Sequence, residues 1–243
     1  MSHNIHIEAL CNLGRIRRMY VKSRVKQENT MTGFIASTMG YNGTLNKDKK
    51  IWDAGAIVMR KLVAGKSEDA TLMLTFEGMV SSIRAMNGSI KSLEDTMITH
   101  VKELPIYEWA MTIPGVGAIS LAIILAEIGN LSDYSNPSKV WKRMGCGVIR
   151  GERQRKVAGD KELAIEHGYD GQRRSLIWST SKYIGMQRKR MPNHPLIQYM
   201  VAEKDRQLAN GLTKGHAENR ARIHTGKKFL KWMWKEWNRA VPA

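Results

Sequence analysis

Apolar residues recur along most of this chain at intervals of three and four, the spacing of one helix face, while strict alternation never persists beyond a few positions. Residues 5–38 predict one long helix. A Gly- and Asn-rich break follows at Gly40-Tyr41-Asn42-Gly43-Thr44, and Lys47 to Val63 predicts a second helix, ended near Gly65. The third is the most regular: Leu72, Phe76, Met79, Ile83, Met86, Ile90, Leu93 and Met97 are spaced 4-3-4-3-4-3-4. A heptad seam of this kind requires a partner helix, supplied either by residues 5–38 or by a second copy of the chain. Homo-oligomerisation through residues 72–97 is the expectation that goes with the second choice.

Pro105 interrupts that helix. Beyond it, Ile106 to Thr112 predicts a short helix, Ala118 to Ile128 an apolar helix ended by Gly129, and Asn136-Pro137 the start of another through Met144. Residues 145–167 read as irregular, Gly-rich and basic. Three further helices, about 171–189, 195–209 and 214–239, close the chain, with Pro192, Pro195 and Gly211 marking the breaks. The predicted fold is all-α: N-terminal helices with a coiled-coil seam over residues 1–104, then a helix-hairpin-helix domain over 105–243.

Charge changes this picture most. The 243 residues hold 39 Lys and Arg against 22 Asp and Glu, a net +17, with 42% hydrophobic residues to build a core. A field that positive attracts polyanions and supplies the sequence-independent part of nucleic-acid binding. The cations also cluster: Arg15 to Lys26 holds six and no acid, and Lys139 to Lys161 holds eight against two acids. No apolar run is long enough to span a bilayer, and the first residues lack the apolar core of a signal peptide. Cys11 and Cys146 are far apart, which excludes a disulfide framework or a cysteine-rich zinc site. A cytoplasmic, nucleoid-associated location is the expectation, with no membrane partner.

One segment joins charge to a mechanism. Met111-Thr112-Ile113-Pro114-Gly115-Val116-Gly117-Ala118-Ile119-Ser120-Leu121-Ala122 fits the helix-hairpin-helix pattern of apolar-Pro-Gly-apolar-Gly followed by a helix. Pro114 fixes the approach to the turn. Gly115 and Gly117 allow positive φ and let the backbone come close to a ligand. Val116 anchors the turn in the core, and Ala122 lets two helices pack closely. The free N–H groups and dipole at the start of the following helix then form a phosphate-sized anion site. Gly115, Val116, Gly117 and Ala118 are the backbone candidates for DNA. Lys139, Lys142, Arg143, Arg150, Arg153, Arg155 and Lys156, followed by Arg173 and Arg174, are the side-chain candidates. Such contacts hold the DNA backbone without reading bases.

Ile113-Pro114-Gly115-Val116-Gly117 through Ala126-Glu127-Ile128-Gly129, then Asn136-Pro137-Ser138-Lys139 and Met144-Gly145-Cys146-Gly147-Val148, resembles the C-terminal domain of Piv-type insertion-sequence transposases and DNA invertases. Gly168-Tyr169-Asp170-Gly171-Gln172-Arg173-Arg174-Ser175-Leu176 resembles the family's glycine motif and the helix it opens. Leu13 to Met39 and Gly211 to Trp237 match its first basic helix and last helix in pattern. The resemblance implies a DNA recombination setting. Members of the family carry a RuvC-like nuclease domain with metal-binding carboxylates, and a serine nucleophile shortly after the hairpin. The first hundred residues here hold no strand–Asp pattern, and no serine occurs between Ser138 and Ser175.

Other chemistry finds little support. Asp48, Asp53, Glu127, Asp133, Glu152 and Asp160 share no helical spacing that would gather them for two-metal catalysis, and Glu127 suits a structural role. The seven histidines lack metal-ligand spacing. Ser175, Ser179 and Ser181 share a predicted helix without an evident activating base. On the last helix Phe229, Leu230, Met233, Trp234 and Trp237 form an apolar face better suited to a core than to a membrane surface, and Trp232 lies off it. The reading is therefore a non-catalytic DNA-binding protein related to a transposase, acting in recombination or as a phage or mobile-element accessory or regulatory factor, with no cofactor, no metal and no catalytic residue assigned. The alternatives are a recombinase subunit completed by a separate RuvC-like chain, a structured-RNA binder, and a structural assembly protein.

Overall fold

Helices make up almost all the regular structure in the computed structural model of the chain, which describes residues 2–43 and 48–241. They are α1 (Ser2–Thr38), α2 (Lys49–Val63), α3 (Ala70–Lys102), α4 (Tyr107–Met111), α5 (Ala118–Ile128), α6 (Pro137–Arg143), α7 (Lys161–His167), α8 (Gly171–Met186), α9 (Pro195–Ala209) and α10 (Lys214–Ala240). The fold is all-α, as the periodicity predicts. Thr44 of the predicted break and the predicted start of the second helix at Lys47 lie outside the described residues.

Local chemistry fixes the starts of the later helices. Asn136 Oδ1 accepts from the N–H groups of Ser138 and Lys139 at 3.0 and 3.2 Å, and Pro137 takes the first helical position, where its missing N–H costs nothing. Asp160 caps α7 through the Leu163 N–H at 2.9 Å, and Asp170 caps α8 through those of Gln172 and Arg173. His194 Nδ1 accepts from the Leu196 N–H at 3.2 Å ahead of Pro195.

Residues 145–167 depart from the irregular segment expected. Strands β1 (Val148–Ile149) and β2 (Glu152–Arg153) pair antiparallel, with Val148 opposite Arg153 and Ile149 opposite Glu152, and α7 follows. The segment is organised from inside by Gln154, which is fully buried. Its Nε2 donates to the carbonyls of Lys142 and His167, and its Oε1 accepts from the Gly147 N–H at 2.9 Å. A buried amide with all these bonds made ties the end of α6, the strand pair and the end of α7 together.

The chain divides into two compact units, residues 15–96 and residues 1–14 with 97–243. In the first, α1 and α3 run antiparallel: Arg17 Nε donates to Glu94 Oε1 at 2.7 Å and Arg24 Nη1 to Asn87 Oδ1 at 3.1 Å, so partners advance one heptad on α1 as they retreat one on α3. Met31 and Ile35 of α1, Met59 and Leu62 of α2, and Phe76, Val80, Ile83 and Met86 of α3 close a core. The partner of these seam residues is therefore in the same chain, and Phe76, Ile83 and Met86 are already buried without a second copy.

In the other unit α5 lies at the centre. Its sequence is apolar on nearly every side, and Leu121, Ala122, Ile124, Leu125 and Ile128 are buried. Around it pack Ile7 and Leu10 of α1, Met97 and Val101 of α3, Ile177 and Ile184 of α8, and Phe229, Leu230, Met233 and Trp237 of α10. The apolar face of α10 is thus core, and its indoles are anchored: Trp237 Nε1 donates to Ser132 Oγ and Trp234 Nε1 to the Tyr134 carbonyl, both at 2.8 Å. Trp232 is half-buried against this core, with the Lys228 ammonium 5.6 Å from its ring centre. Among the described residues no helix is long and apolar enough to cross a membrane.

Candidate nucleic-acid interface

α4, the turn at residues 112–117 and α5 form the helix-hairpin-helix. Ile113, Pro114 and Val116 are buried, while Gly115 and Gly117 are exposed. The Val116 N–H closes the turn onto the Ile113 carbonyl at 3.1 Å. The two glycines have different reasons to be there. Gly115 takes φ +75°, and a Cβ on it would stand 2.6 Å from the carbonyl carbon and oxygen of Tyr183, inside van der Waals contact. Close approach here is to the backbone of α8. Gly117 is extended at φ −114°, ψ 170°, open to any residue, and a Cβ on it would meet nothing within 4 Å. It is the N-cap of α5, and no side-chain hydrogen bond caps that helix end.

The basic candidates lie elsewhere. Arg143 Nε donates to the Glu127 carbonyl at 3.0 Å, capping the last turn of α5, and Arg173 Nε meets Glu127 Oε2 at 2.9 Å. Glu127 is the structural group its position suggested. From Ala118 to Glu127 is nine residues, about 14 Å of helical rise, and from Arg174 to Tyr183 on α8 is the same. α5 and α8 therefore run antiparallel, with the glycine turn at one end and the basic tract at the other. The structure does not bring Gly115–Ala118 and Lys139–Lys156 together into one patch.

Within the tract the cations differ. Arg143, Arg173 and Arg174 hold the fold, Arg174 by donating to the Gly145 carbonyl at 2.8 Å. Arg150 pairs with Glu166 at 2.7 Å and Arg155 with Glu152 at 3.5 Å. Lys139, Lys142, Arg153 and Lys156 are exposed and have no carboxylate partner among the described residues.

Arg153 and Arg174 also line a cleft of about 1050 Å³ that no sequence motif announces. Its walls are Cys146 to Val148, the first turns of α8 with Tyr169, Ser175 and Trp178, and one face of α10. That face carries His216, Arg220, Ile223, His224 and Lys227, spaced i, i+4, i+7, i+8 and i+11. The signal was a polar stripe opposite the core face, hidden because none of its members is distinctive alone. Burial pushes the Cys146 thiol up, so it stays protonated and contributes no negative charge.

No family model matches the chain, and neither a curated protein nor a solved structure matches it.

Proposed function

We propose that this chain binds DNA, holding the duplex backbone at the exposed N-terminus of α5 and without chemistry of its own. The observation that carries the reading is the uncapped start of α5 at Gly117, set out on a turn whose Pro114 and Val116 are buried. A helix end without a side-chain cap and with a positive dipole suits one phosphate. The net +17 and the exposed Lys182, next to Tyr183 at the same end of the helix pair, supply the long-range attraction. The resemblance to Piv-type transposases supports DNA recombination, or an accessory or regulatory role on a phage or mobile element, as the setting.

The test is Gly117→Asp. An aspartate at this N-cap has room and suitable backbone, so it accepts from the free N–H groups and stabilises α5. It also occupies the phosphate site with a negative charge. The expected result is a melting temperature at or above wild type together with duplex affinity about tenfold weaker, the worth of one charge-assisted hydrogen bond. Wild-type affinity in this variant across a salt series overturns the reading.

A further inference from the structure

The cleft between β1, the start of α8 and α10 has the composition of a site for an anionic ligand with flat, stackable groups. None of the residues that line it is an Asp or Glu. Arg153, Arg174, Arg220 and Lys227 bring four cations to it, and two of them are held by neutral groups: Arg174 by the Gly145 carbonyl and Arg220 by Gln207 Oε1 at 3.1 Å. Lys227 is half-buried with no carboxylate partner among the described residues; its ammonium rests 5.3 Å from the centre of the Trp141 ring. Burial pushes its pKa down, and neighbouring Arg174 adds repulsion. A cation in that position is relieved by an entering anion.

The aromatic component is also fixed. Trp178 lines the cleft with the Arg222 guanidinium stacked 5.1 Å from its ring centre, and Arg222 lies 3.5 Å from Glu218. An indole braced in this way keeps its orientation before any ligand arrives. Tyr169 stands at the same wall, beside Gly171. His224 is held by the buried Glu203, Nδ1 to Oε1 at 2.7 Å. The cleft has a volume of about 1050 Å³. Cations that track a backbone beside aromatic platforms for bases are the means by which unpaired strands are bound without sequence preference.

We propose that this cleft holds a short stretch of unpaired nucleic-acid strand, its phosphates on Arg153, Arg174, Arg220 and Lys227 and a base on Trp178. The site is separate from the α5 N-terminus and does not depend on it. The test compares the full chain with Arg220→Gln/Lys227→Gln, Trp178→Phe and Trp178→Ala. The probes are a labelled oligothymidylate, an oligouridylate of the same length (about twelve nucleotides) and a labelled duplex, with thymidine monophosphate as competitor. The double variant is expected to lose at least about tenfold in single-strand affinity with duplex affinity within about twofold of wild type. Trp178→Ala is expected to lose a similar amount and Trp178→Phe to retain binding, while both lose the tryptophan quenching that the oligomer produces. Gly117→Asp should do the reverse, weakening duplex and sparing single strand, which separates this proposal from the duplex grip. Preference between oligothymidylate and oligouridylate assigns DNA or RNA as the strand. Equal loss on duplex and single strand, no loss at all, or monophosphate competing as well as the oligomer each overturns the proposal.

Discussion

Arg173 Nε donates to Glu127 Oε2 at 2.9 Å, joining the last turn of α5 to the first turn of α8. Both side chains are about one-fifth exposed (20% and 19%), so the pair is screened less than a surface ion pair and more than a buried one. Glu127→Gln is expected to cost about 1–3 kcal/mol in urea unfolding. It removes one negative charge and leaves Arg173 beside Asp170 at 4.0 Å, so duplex affinity is expected to hold or rise. A loss of affinity would mean that Glu127 positions something the DNA touches.

The two turn glycines should respond in opposite ways to the same methyl group. Gly115→Ala forces an L residue to φ +75° and drives Cβ into the Tyr183 carbonyl, and its expected cost is at least about 3 kcal/mol or loss of folding. Gly117→Ala has open space and permitted backbone, and should cost less than about 1 kcal/mol. Thermal melts of both proteins decide this, and equal melting temperatures would show that the turn does not pack on α8 as described.

Lys139, Lys142, Arg153 and Lys156 are expected to act through charge alone. Replacing all four by Gln should leave the melting temperature within a few degrees. If they meet duplex phosphates, the slope of log affinity against log salt should become shallower by about 0.9 for each phosphate no longer neutralised. An unchanged slope would remove the tract from the duplex interface. Arg143→Gln is the contrast: it uncaps α5 and should lower stability first.

Acid should destabilise the larger unit. His194 and His224 both have pKa values lowered by burial; for His224 the pull of Glu203 upward is outweighed, with Lys227, Arg206 and Arg220 adding to the lowering. A folded-state pKa below the unfolded value means the unfolded chain binds more protons, so stability rises with pH across that interval. The contribution is complete above the unfolded histidine value of about 6.5 and is lost as pH falls below it. His194 gives a direct reason, since protonating Nδ1 removes the acceptor for the Leu196 N–H. Glu203 and Glu218, both lowered by hydrogen-bonded and charged partners, add a second loss as pH falls through the carboxylate range. Denaturant midpoints that are flat from pH 8 to pH 5 in His194→Asn/His224→Asn, and falling in wild type, are the expected result.

What was legible in the sequence was local. Asn136-Pro137, Asp170-Gly171 and His194-Pro195 announce helix starts because cap and first turn lie within four residues, and Pro114-Gly115-Val116 announces a turn for the same reason. The heptad on α3 showed that a partner helix was needed, and the candidate on α1 was the right one. What was not legible depends on distant pieces. Nothing near Gln154 in sequence marks it as a buried staple, because its partners belong to Lys142, Gly147 and His167. The cleft is assembled from three stretches whose residues meet only after α8 and α10 cross. At that crossing a Cβ on Gly226 would stand 2.5 Å from Ile177 Cγ2. Of the two turn glycines only Gly115 uses the left-handed backbone that a glycine permits, because sequence shows the permission and not its use.

The antiparallel pairing of α5 and α8 has one more consequence. A helix does not stretch, so the two ends of the pair keep a constant separation of about 14 Å. Should a duplex be held at the glycine turn and an unpaired strand in the cleft, the stiff helix pair would fix the spacing between them, and a junction with a single-stranded arm is then the ligand expected to engage both.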